Sequence, residues 1–147
     1  MTEELIRIII ADDHEVVRCG LVSLLNDTDI EVVAEAVSGE EAVKLAKKHK
    51  PDVILLDVRM NPGTDGLVAL EKIRTDAPGV SCIMLTTFDN PTYVARAVAS
   101  GAHDYLLKGC SRQELLDAVT GAASGKLSMR SGAVSYTHLT LPTTPYV

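Results

Sequence analysis

Three stretches of this chain are apolar almost from end to end: residues 5–10 (LIRIII), 52–57 (DVILLD) and 80–86 (VSCIMLT). A strand with one wet face alternates apolar and polar residues, whereas a strand covered on both faces does not need to. Short, branched runs of this kind predict parallel strands with helices on either side. Residues 30–37 (IEVVAEAV) and 104–108 (DYLLK) predict two more strands. Helical patterns fill the gaps. Residues 15–25 put Val17, Leu21, Leu24 and Leu25 on one side, and the next helix opens at Ser38 with acids in its first turn and closes on Lys and His before Pro51. DGLVALEKIR offers Leu67, Leu70 and Ile73–Arg74, and residues 91–100 start at Pro91 and stop before Gly101. Residues 111–123 carry Ser111 and Glu114 at the spacing of a capping box. Five repeats of strand then helix predict an open, doubly wound α/β sheet.

In such a sheet, ligands sit beyond the carboxyl ends of the strands, where the strand order switches. Asp12 and Asp13 end the first strand, Asp57 the third, Thr86 the fourth and Lys108 the fifth. With a strand order of 2-1-3-4-5 the three acids converge on one crevice, and Thr86 and Lys108 face them. Three carboxylates call for a hard divalent cation, Mg²⁺ before Mn²⁺. A hydroxyl and an ammonium opposite them suit a phosphoryl group, and one carboxylate can serve as nucleophile. Each residue also has a plainer reading: a solvated turn or helix cap for the acid pair, a cap for Asp57, a strand former for Thr86 and Thr87, a surface charge for Lys108. It is the set at matching strand ends that favours chemistry. His14 is set aside as a ligand, because Mg²⁺ prefers oxygen.

Composition narrows the function. The 147 residues suffice for one domain with a real core. A net charge of −6 argues against direct binding of DNA or RNA by phosphate neutralisation. No run nears the roughly 20 apolar residues of a membrane span, and the acidic start MTEEL is unlike a signal peptide. Cys19, Cys82 and Cys110 have no metal-site spacing and read as reduced thiols of a cytoplasmic protein, with Cys82 in the core.

Together, Asp12–Asp13, Asp57 in LLDVRM, Thr86 in LTTF and Lys108 in YLLK resemble the response regulator receiver domain of two-component systems. The resemblance covers about residues 5–123. DDHEVVRCGL, LTTFDN and YLLKG further resemble the subfamily with a LuxR/NarL-type helix-turn-helix output. The resemblance implies a flavodoxin-like five-stranded sheet with five helices, like that of the chemotaxis receivers. It implies that Asp57 is the phosphoacceptor and that Asp13 binds the metal directly, Asp12 largely through water and Arg59 through its backbone carbonyl. Lys108 would pair with Asp57 and then with the phosphoryl group. Thr86 would hydrogen-bond that group, and Tyr105 would swing inward as Thr86 moves. A sensor histidine kinase would be the donor, and a weak homodimer would tighten on phosphorylation. The domain would catalyse only its own phosphoryl acceptance and a slow dephosphorylation. Arg59, Thr87 and Phe88 should flank the entrance and slow that decay.

Two features depart from the family pattern: RMNPGTDG carries an apparent extra Asn61, and Gly109 stands where many receivers have proline. Two other functional readings compete. A phosphohydrolase of the haloacid-dehalogenase kind needs a second acid two residues past the nucleophile, where this chain has Arg59. A receiver-like module that binds partners without taking phosphate is the other. A nucleotide-binding Rossmann domain fails for want of a glycine-rich loop after the first strand. Residues 1–124 are thus expected to form the receiver. Residues 125–147, rich in Ser, Thr, Gly and Pro, are expected to be a disordered linker or tail, partly vector-derived, with the DNA-binding output domain absent from this chain.

Overall fold

The computed structural model describes residues 5–60, 66–87 and 91–131, with the side chains of 91–94 and 125–131 left aside. Strands β1 (Ile6–Ala11), β2 (Ile30–Ala36), β3 (Val53–Asp57), β4 (Ser81–Thr86) and β5 (Asp104–Leu107) alternate with helices α1 (Glu15–Leu24), α2 (Gly39–His49), α3 (Gly66–Asp76), α4 (Pro91–Ala99) and α5 (Arg112–Ser131). The strands form one parallel sheet in the order β2-β1-β3-β4-β5.

The continuous apolar runs are explained by what covers them. Alternate residues point to opposite faces. Ile9, Ile54 and Met84 enter one core with Ala42 and Ala46 of α2, Leu67, Leu70 and Ile73 of α3, and Ala97 of α4. Ile8, Ile10, Leu55, Ile83 and Leu85 enter the other, under Leu21 of α1 and Leu115, Val119 and Ala122 of α5. Arg74, grouped with Ile73 by its spacing, is exposed.

Helix starts follow the local chemistry. Ser38 Oγ accepts from Glu41 N at 3.1 Å, and Glu41 Oε1 accepts in return from Val37 N at 2.8 Å. At α5 the box is fully reciprocal: Ser111 Oγ accepts from Glu114 N at 3.1 Å and Glu114 Oε1 from Ser111 N at 2.9 Å. One feature differs from the sequence reading. Helix α5 runs to Ser131, past the boundary drawn at 124. Gly121, Ser124 and Gly125 weaken a helix without terminating it, and extending an existing helix avoids the cost of nucleation. The β1–β2 register slips between Ile8 and Ile9, so that Ile8 pairs with Val32 and Ile9 with Ala34.

Candidate functional site

The parallel register brings the predicted residues to one edge. Ala11 pairs with Leu56, Asp57 with Leu85, and Thr86 with Leu107. Asp12 and Asp57 therefore stand at one level, with Thr86 one residue and Lys108 two residues beyond it. The ladder continues one step further, where Val58 N donates to Leu85 O at 2.9 Å and Lys108 N to Thr86 O at 2.8 Å.

Asp12 is 0% exposed, Asp57 3% and Thr86 7%, so two carboxylates and a hydroxyl are buried at a sheet edge otherwise lined by aliphatics. The two acids are held alike. Asp12 Oδ1 accepts from the backbone N–H of His14 at 2.8 Å, and Asp57 Oδ1 from that of Arg59 at 3.2 Å. Each turns its other oxygen to Lys108, whose Nζ lies 2.9 Å from Asp12 Oδ2 and 3.0 Å from Asp57 Oδ2. The Asp57 contact is aligned as a hydrogen bond. Sequence reasoning paired Lys108 with Asp57 alone; the structure makes it a bridge.

Burial pushes the Asp57 carboxyl above the ordinary carboxylate range; Lys108 pulls it back and Asp12 adds to the rise. For Lys108, burial works downward, and the carboxylates of Asp12 and Asp57 outweigh it and hold the ammonium above its usual value. Three carboxylates (−3) and one ammonium (+1) leave a formal charge of −2 around the crevice. Asp12, Asp13, His14 and Asp57 each offer a ligand atom within 4.8 Å of the others. That donor set, oxygen-rich and short of positive charge by two, fits a divalent cation.

His14, set aside as a ligand in the sequence reading, lies beside this centre. Its Nδ1 sits 3.2 Å from Asp12 Oδ1 and 3.1 Å from Asp13 Oδ1, although its side chain is 66% exposed. Gly66 was missed. A Cβ there would lie 1.8 Å from the backbone oxygen of Asp57. Only a glycine lets the start of α3 pack against the acceptor strand, where Gly66 N donates to Val58 O at 2.8 Å. The sequence held a signal for this in the Asp-Gly step that opens the helix.

Tyr105, paired with Met84 in the ladder, is half-buried against the core beneath α3 and α4. Thr87 and the Arg59 side chain are exposed. Phe88 and Asn61 lie outside the described residues.

Comparison with known proteins agrees with this geometry. Residues 8–120 match the family described as the response regulator receiver domain. The oxygen regulatory protein NreC of Staphylococcus epidermidis is 42% identical over 121 residues, which make up 82% of this chain and 56% of that protein. NreC of Staphylococcus aureus is 41% identical over the same length. The chain thus spans about half the length of these relatives. Among solved structures, the signal receiver domain of the putative response regulator NarL from Mycobacterium tuberculosis has a TM-score of 0.79 and 37% identity, covering 84% of this chain and 99% of that one. A LuxR-family DNA-binding response regulator from Staphylococcus aureus has a TM-score of 0.75 and 34% identity, covering 81% and 99%.

Proposed function

Because the chain belongs to the response regulator receiver family, we propose that its Asp57 takes the phosphoryl group of a sensor kinase's phosphohistidine, with Mg²⁺ or Mn²⁺ held by Asp12, Asp13, Asp57 and the Arg59 carbonyl. The observation that carries this is the Lys108 bridge between two buried acids within a site of charge −2. In the transfer, an Asp57 oxygen forms the new P–O bond as the P–N bond breaks, and the bonding pair returns to the imidazole. Phosphoryl transfer depends mainly on positioning and charge neutralisation. A bound divalent cation supplies neutralisation at the phosphoryl oxygens. Lys108 supplies it from the other side, and the backbone N–H of Arg59 keeps Asp57 oriented. Thr86 takes a phosphoryl oxygen, and Tyr105 follows it inward. The changed strand ends alter the surface from β4 to α5. That change strengthens a homodimer and acts on a DNA-binding output domain in the longer, cytoplasmic protein.

The test is incubation with Mg²⁺ and a small phosphodonor. One phosphoryl group should be gained in intact mass, and none in Asp57→Asn. Modification that persists in that variant removes Asp57 from the role. No modification of the parent leaves a phosphate-independent binding module. If phosphate is taken up, its loss should be slow, and widening the entrance with Thr87→Gly should speed it.

A further inference from the structure

The turn that carries the acid pair is fixed by a residue outside the site. Asp12 N donates to Ala36 O on β2 at 3.0 Å. The Asp12 carbonyl accepts from Arg18 Nη1 at 2.7 Å. The same guanidinium donates through Nε to Glu35 Oε1, also on β2, at 2.9 Å. Arg18 itself sits in the first turn of α1, where its N–H donates to His14 O at 3.1 Å. Its side chain is only 13% exposed although it carries a permanent charge. One rigid, planar fork thus ties the end of β1, the start of α1 and the neighbouring strand, with the Asp12–Asp13 turn between them.

We infer that Arg18 is a positioning residue for the cation site: anchored by Glu35, it grips the Asp12 carbonyl and so presets the direction of both carboxylates. The inference rests on the reading of these acids as a divalent-cation site. Charge and positioning make opposite demands here. A guanidinium beside the acids repels an incoming cation, so a purely electrostatic role means that removing it tightens binding. A positioning role means that removing it weakens binding.

The experiment is calorimetric titration of MgCl₂ into the full chain and its Arg18→Ala, Arg18→Lys and Glu35→Gln variants, with melting temperatures measured with and without Mg²⁺. Loss of a group that orients a metal ligand costs about tenfold or more in affinity. Arg18→Ala should therefore bind Mg²⁺ about tenfold more weakly, and its Mg²⁺-induced rise in melting temperature should shrink. Arg18→Lys should rescue little, since an ammonium cannot grip two acceptors in the same plane, and Glu35→Gln should fall between. Unchanged or tighter binding in Arg18→Ala, with only a lower melting temperature, overturns the inference and leaves Arg18 a structural tie. If Arg18→Ala does not fold, unchanged affinity in both other variants overturns it equally. A parent chain that binds no Mg²⁺ is a separate result: it refutes the cation-site reading itself.

Discussion

Single side chains in this protein are governed by how deeply the sheet buries them. Burial pushes the Cys82 thiol up to about 12, so it holds almost no thiolate at neutral pH, while Cys19 is exposed. Iodoacetamide should label Cys19 in the native protein and reach Cys82 only after denaturation; mass spectrometry of the digested chain reads this directly. His103 is shifted the other way. Burial lowers its pKa below the ordinary 6.5, and Asp104 opposes this only in part. As the pH falls below 6.5 the unfolded chain protonates this histidine before the folded one does, so folding loses stability in that window. His103→Gln should lose less over the same range in urea titrations; parallel curves would show that His103 has no part in it. The site residues divide in the same way between those legible in the sequence and those that are not. Asp12, Asp57, Thr86 and Lys108 could be found because a polar residue ending an apolar run marks a strand end. Arg18 could not, and Gly66 left only the local cue of its Asp-Gly step. Their parts depend on a distance across the fold, or on how closely two backbones approach, and neither leaves a periodic trace.

At the level of elements, the order and type of all ten followed from pattern, because continuous and 3.6-fold periodic runs report the layers that cover them. Ends depend on pairing across the fold. A strand stops where its neighbour stops pairing, as with β1, which extends to Ala11 because Leu56 lies beside it. The end of α5 was drawn early because Ser124 and Gly125 read as the start of a loop; the capping box that starts the same helix was legible because it is local. Ser111→Ala removes that cap and should cost about 1 kcal/mol in urea unfolding. Leu70→Ala, in the core under α3, should cost about 2–5 kcal/mol. Losses of similar size from the two would show that the cap is coupled to the core rather than local.

At the largest scale, the described residues form two hydrophobic layers joined by one sheet, with the candidate site at the carboxyl ends of its strands. The chain's overall acidity predicts that it has no salt-sensitive affinity for duplex DNA, which a fluorescence anisotropy titration at low ionic strength would test. The strand order has a further consequence. Lys108 follows β5, two strands from Asp57 on β3 and three from Asp12 on β1. Strands are about 4.8 Å apart, so its amine reaches across much of the sheet to arrive there. β5 is also one of the two edge strands, pairing on one side only, and none of its four residues is fully buried. The least covered strand is therefore moored to the most covered carboxylates through one flexible side chain, and the charge at the centre is transmitted as tension at the rim. A change of charge there should be readable as the rate at which the amides of Asp104–Leu107 exchange with deuterium: slow while Lys108 holds both acids, faster once a cation or an Asp57→Asn substitution slackens its hold.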